Sequence, residues 1–391
     1  MQRAVRSIVW SGLCLGLGGC SVADVLTSEE ILEELDEVVQ VTGDREARQV
    51  VYADEAVVAR DFMRWPALAP IRWPLAWMFG RRGELQLANP PYRVRELLRE
   101  LPNETAGGWI QAPDLLTCAA AASRFAWFAE LDPSATTRIC ALDGISRVCR
   151  QLDLRPLDGA FAALMQPQDP VVVASARDRA RAATASMDLE ALRAAVTEMT
   201  AQPLAVVADR ILLVEELTEM LTRMEDPAAR EPVADGLRAA LAHCARGVLL
   251  SSLAGRSREL AEVRLCAMEQ VRRLGGARAV PLMLAVMAAS PAERANGVPH
   301  YDPDTLVQLR LIHYCGQLSP TLAAQVVRIP GRQDWEATTP AEFLARTVLS
   351  ERDYYSQLRV PAIVALTWCL GRPSIDTDPA WVRAWIDGRD S

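Results

Sequence analysis

The chain has 391 residues, half of them apolar and 24% charged, a balance that can fill a large core or a long repeat array. Its formal charge of −8 has the wrong sign for a nucleic-acid partner, which needs a basic footprint. All 42 positive side chains are arginine, which excludes a P-loop lysine, a Schiff-base lysine and the lysine of protein kinases.

The first residues follow the order of an export signal. Arg3 and Arg6 are positive, Ile8 to Leu17 form a short apolar run, and Gly18-Gly19-Cys20 supply a small-residue exit. The apolar run is shorter than the roughly 20 residues a bilayer span requires. Leu17-Gly18-Gly19-Cys20 resembles the lipobox of bacterial lipoproteins. That resemblance implies a diacylglyceryl group on the Cys20 thiol, cleavage just before it, and acylation of the new amino terminus. The mature chain is then expected in the cell envelope, anchored in lipid and facing the periplasm. Ser21 in place of an aspartate points to the outer membrane rather than the inner one. Loss of Arg3 and Arg6 with the signal takes the formal charge from −8 to −10.

The next elements divide the chain into an anchor-proximal region over 20–108 and a helical body over 109–391. Residues 21–42 read as an acidic helix, with a capping box formed by Thr27 and Glu30. An aromatic segment follows over 62–79, in which Arg64-Trp65-Pro66 recurs as Arg72-Trp73-Pro74, with Trp77 close behind. Its prolines prevent one continuous helix. Arginine beside tryptophan suits either a membrane interface or the anchor residues of a protein interface, so Arg64, Trp65, Arg72, Trp73 and Trp77 are the candidate binding residues. The same rings could equally cap the end of a helical stack. Residues 80–108 are loop-rich around a short helix at Val94–Leu101.

From Trp109 onward the pattern is helix after helix. A capping residue followed by proline stands at Asp132-Pro133, Asp169-Pro170, Asp226-Pro227, Ser290-Pro291, Asp302-Pro303, Ser319-Pro320, Thr339-Pro340 and Asp378-Pro379. No sustained alternation argues for a sheet. In the clearest hairpin, Leu260, Val263, Ala267, Met268, Val271 and Leu274 make one apolar face, and Gly275-Gly276 ends the arm. The second arm, from Ala279 to Val286, is apolar almost all round and must be covered on several sides. Val263-Arg264-Leu265-Cys266-Ala267, Leu274-Gly275-Gly276 and Ala279-Val280-Pro281-Leu282 together resemble a bacterial HEAT repeat. Arg359-Val360-Pro361-Ala362-Ile363 with Leu370-Gly371, and Arg138-Ile139-Cys140-Ala141-Leu142, echo its first arm, and Arg310 opens a further unit. The resemblance implies an all-α fold, an α-solenoid of helical hairpins, whose concave surface binds other proteins. An irregular all-α globular domain is the alternative.

Motifs for catalysis are sparse. His243-Cys244 and His313-Tyr314-Cys315 place their groups too close along a helix to face each other, which leaves a long-range pair such as Cys315 with His243. His300, Asp302 and Asp304 have no strong metal-site spacing, and a helix start at Asp302-Pro303 explains them better. There is no G-x-S-x-G elbow and no H-E-x-x-H helix. No catalytic residue, cofactor or metal is therefore assigned. The expected function is a protein-binding scaffold, with lipid at Cys20 and an unidentified envelope protein as partners. The rivals are an envelope hydrolase with a carboxylate or Cys–His site, and a membrane-docking protein. Seven cysteines remain in the body, an odd number that leaves at least one unpaired.

Overall fold

A computed structural model describes residues 27–42, 49–52, 90–101, 105–106, 109–110, 114–158, 160, 170–201, 207–254, 260–289, 304–327, 339–350 and 356–388. The chain divides into two compact units, one formed by residues up to 40 with 51–121, the other by 41–50 with 122–391.

In the first unit, α1 (Ser28–Val38) packs on α2 (Pro90–Glu100). Ile31 and Leu35 of one helix and Val94, Leu97 and Leu98 of the other are fully buried. The capping box expected at Thr27 and Glu30 is present. The acidic helix stops at Val38, short of residue 42, because three of the next four residues, Val39, Val41 and Thr42, are β-branched. The segment Val39–Thr42 forms β1, paired with β2 (Gln49–Tyr52). A second two-stranded sheet joins β3 (Thr105–Ala106) to β4 (Trp109–Ile110), so Trp109 lies in a strand and the helices begin later. These strands are too short to produce a visible alternation.

Apart from the halves of β1 and β2 that fall in 41–50, the described elements of the second unit are helices. They are α3 (Leu115–Leu131, from Ala122 onward), α4 (Ala135–Gln151), α5 (Pro170–Ser186), α6 (Leu189–Ala201), α7 (Val207–Arg223) and α8 (Pro227–Ala254). Then come α9 (Ala261–Gly275), a 3-10 turn (Gly276–Ala279), α10 (Val280–Ala289), α11 (Thr305–Gly316), α12 (Pro320–Ala323), α13 (Pro340–Leu349), α14 (Ser356–Cys369) and α15 (Ala380–Asp387). Neighbours in sequence form pairs: α5 with α6, α7 with α8, α13 with α14. Other contacts skip along the chain, among them α4 against α9, α11 against α14 and α5 against α7. The all-α class therefore holds for this unit.

Local chemistry accounts for most boundaries. Thr339 and Glu342 form the second expected capping box, with Pro340 in the first turn. Ser319 caps α12, accepting from the Leu322 amide. At α11 the cap is Asp304 rather than Asp302, with its carboxylate 2.8 Å from the Leu306 amide and 3.2 Å from that of Val307. At α4, Asp132 accepts from the Ser134 amide, and the helix opens two residues after Pro133. Gly276, with φ of +61°, ends α9 in a conformation that few residues other than glycine adopt. The second arm, α10, is enclosed as its composition demands: Val280, Leu282, Met283, Leu284, Ala285, Val286 and Met287 are all buried.

The repeated arginine has a common position. Arg138, Arg264 and Arg359 are each the fourth residue of their helix. Arg138 donates to the carbonyl of Glu130 near the end of α3, and Arg359 donates to the Ser350 carbonyl just past α13, at 3.0 Å. Each thus reaches back to the negative end of the preceding helix, where carbonyls lack intrahelical partners. Arg310 differs. It is the sixth residue of α11, is exposed, and lies over the Tyr314 ring at 5.9 Å, so it does not open an equivalent unit. Arg359→Ala is expected to lower stability by about 1–2 kcal/mol through the lost charge-assisted bond, measured by urea unfolding followed by circular dichroism.

Candidate functional site

One cluster of buried polar groups in the second unit lies between the end of α3, α4, α7 and the middle of α8. Glu130 closes α3, Arg210 stands at the start of α7, and His243, Gly247 and Ser251 share α8. Four-residue steps place His243, Gly247 and Ser251 along one stripe of that helix. The Arg210 guanidinium is 3% exposed and lies against Gly247, where an added Cβ would sit 0.8 Å from Nη1. Only glycine leaves room for a guanidinium to lie on the helix surface.

Electrostatics follow from this enclosure. Burial raises the Glu130 carboxyl, and the Ser251 hydroxyl that donates to it, with Arg210 and Arg138, partly opposes that shift. His243 is 2% exposed, and burial, then the charges of Arg210 and Arg246, lower it to about 3. It is therefore a neutral imidazole at pH 7, and neither ring nitrogen has a hydrogen-bond partner among the described residues. Arg246 turns outward, donating to the Pro156 carbonyl at 2.7 Å.

Ser251 donates to Glu130 rather than to His243, so the serine and the imidazole do not form a nucleophile–base pair. A small apolar cavity adjoins the cluster, lined by Ala122, Ile145, Val148, Cys149, Leu241 and Cys244. The arrangement joins four helices through one buried ion cluster.

A second network links α9 to its neighbours. Asp143 of α4 meets Arg273 of α9 at 3.7 Å and Gln270 at 3.4 Å, and Arg147 at 3.5 Å on its own helix. Glu269 accepts from the Tyr314 hydroxyl of α11 and from Arg273 at 3.2 Å. The Tyr314 bond, then the Arg273 charge, hold Glu269 below the usual carboxylate range. On α5, Arg179 pairs with Glu198 of α6 and Arg181 with Glu216 of α7 at 2.9 Å. Apart from the half-buried Arg177, the charged run 177–181 is the exposed face its sequence indicates, tying three helices together.

Cys20, Arg64, Trp65, Arg72, Trp73 and Trp77 lie outside the described residues, as do His300 and Asp302. His313 is exposed on α11 beside Gln317, and Cys315 is buried against α14, whereas His243 belongs to α8. The long-range pair of Cys315 with His243 is thus not assembled. Among the described residues no group of three or more His, Cys, Asp or Glu is placed to hold a metal ion. No described helix is long and apolar enough to cross a membrane. The Glu130–Arg210–His243 cluster has no motif in the sequence; a glycine midway along an apolar helix was its one signal.

Comparison with protein-family models, with curated proteins and with solved structures returned no match to the chain.

Proposed function

We propose that the chain is a lipid-anchored scaffold of the bacterial cell envelope, binding another envelope protein through the surface of a HEAT-like helical array without itself catalysing a reaction. The observation that carries the reading is the α9–α10 hairpin. Its second arm is apolar on every side and wholly buried, the signature of an element stacked between neighbours. The shared position of Arg138, Arg264 and Arg359 supports a recurring hairpin unit. The Leu17-Gly18-Gly19-Cys20 motif supports the anchor, and a diacylglyceryl group on the Cys20 thiol with an acyl chain on its amine would hold it stably. The contact of α4 with α9, helices far apart in sequence, is one that a simple open stack would not make.

Two arms test the proposal. Radioactive palmitate should label the wild-type protein and leave Cys20→Ala unlabelled. Affinity capture from detergent-solubilised envelope should recover one partner in a fixed ratio. Equal labelling of both forms would remove the anchor, and capture without a stoichiometric partner would remove the scaffold. The Arg64-Trp65 and Arg72-Trp73 repeat supports a second contribution, docking of residues 62–79 on lipid. Liposome binding by a form lacking Cys20 separates that contribution from the acyl anchor.

A further inference from the structure

None of the seven described cysteines is in a disulfide, and four of them stand on two pairs of helices in contact. Cys149 of α4 and Cys244 of α8 line the same small cavity, in which no polar side chain intervenes. Cys315 of α11 and Cys369 of α14 are both fully buried where those helices meet. The approach there is close: a Cβ on Gly316, next to Cys315, would sit 2.8 Å from Ala365 Cβ, one turn before Cys369. Cys140 and Cys266 also occupy facing helices. However, the Cys266 sulfur is engaged both across the helix interface, by the Ile139 carbonyl, and by the Gln270 amide, each at 3.9 Å, whereas the Cys369 thiol donates within its own helix, to the Leu366 carbonyl at 3.4 Å.

We propose that Cys149–Cys244 and Cys315–Cys369 are disulfide sites that cross-link α4 to α8 and α11 to α14, while Cys118, Cys140 and Cys266 remain thiols. Both links would fasten contacts between segments far apart in sequence, where closing the loop costs the unfolded chain most entropy. The inference goes beyond the scaffold proposal, and its test, made on the purified chain, does not rest on that reading.

The reaction needs an external oxidant, a small-molecule or protein disulfide. One thiolate attacks a sulfur of that disulfide, giving a mixed disulfide and one released thiol. The second cysteine then attacks the mixed disulfide, closing the link and releasing the other thiol. Two electrons and two protons pass from the cysteine pair to the oxidant. Burial pushes Cys149, Cys244 and Cys369 up to about 12, and the facing thiol adds to the shift at Cys149. Folded thiols of this kind scarcely ionise at neutral pH, so the links must form while the helices are still separating and meeting. Once folded, the protein keeps the redox state in which it folded.

The test uses the full chain, reduced and denatured, then refolded with oxidised glutathione or with dithiothreitol. Each product is denatured, alkylated and mapped by mass spectrometry. Peptides joining Cys149 to Cys244 and Cys315 to Cys369 are expected only after refolding with oxidant, with Cys118, Cys140 and Cys266 alkylated. The oxidised form should melt roughly 10 °C or more above the reduced form. In Cys149→Ala with Cys244→Ala, part of that gain should vanish while Cys315–Cys369 still forms. Alkylation of all four cysteines, links to other partners, or an oxidised chain without its helical circular dichroism would each overturn the proposal.

Discussion

Arg210→Ala is expected to lose about 3–5 kcal/mol of stability, because it removes one member of a buried charge cluster and leaves the others in place. For a unit of this size that is a fall in Tm on the order of 10 °C. The reasoning starts with Glu130. Its carboxyl is largely withdrawn from water, and the charges of Arg210 and Arg138 favour its ionised form. Without Arg210, Glu130 must either hold a poorly compensated charge or take up a proton, and the slot above Gly247 becomes empty. The cost arises from orphaning a charge rather than from losing a strong attraction. A second variant separates these accounts. Arg210→Met combined with Glu130→Gln removes both charges and roughly keeps the volume, so it should lie within about 2 kcal/mol of the wild type. Thermal and urea unfolding at pH 7 measure both. A loss below 1 kcal/mol in Arg210→Ala would mean that the guanidinium is solvated and the cluster does not hold α7 to α8.

The fold was legible where the determinant is local. Thr339-Pro340 with Glu342 announces α13 because the cap, the ring and the reciprocal bond all lie within four residues. Gly275-Gly276 and Gly371 mark helix ends for the same reason, and the two φ-positive ends, Gly276 and Gly371, carry the residue they need. The enclosure of α10 was legible because a helix with no polar face can only be buried. What each face meets was not legible. Helical patterning says that α4 is a helix, but not that it packs on α9 and α8, some hundred residues on. The fully buried Arg264 and the Glu130–Arg210–His243 cluster escaped for a related reason. Charged side chains ordinarily face solvent, and a buried one is recognisable only by the partners that the tertiary fold delivers. The anchor and the tryptophan repeat rest on motif chemistry alone.

The imidazole of His243 makes stability depend on pH, with a sign fixed by its shift. In the unfolded chain a histidine titrates near 6.5, and in the fold burial and the charges of Arg210 and Arg246 hold it at about 3. Between those values the unfolded state binds the proton and the folded state does not. The contribution is therefore fully present above pH 6.5 and is lost as the pH falls toward 3. From pH 7.5 to pH 5 this amounts to about 2 kcal/mol. Glu130 works in the opposite direction, since its raised carboxyl recovers stability as it takes up a proton. The wild type must therefore be compared with a variant at each pH, so that the Glu130 contribution cancels. His243→Leu is that variant. It removes the titration, so the gap between the two proteins should widen in the variant's favour from pH 7.5 to pH 5. It also removes two buried ring nitrogens that lack hydrogen-bond partners among the described residues, so the variant should already be more stable at pH 7.5, by about 1–2 kcal/mol. A gap that stays constant with pH would place His243 in contact with water. A variant less stable than the wild type at every pH would show that the imidazole makes bonds in solution to groups outside the described residues.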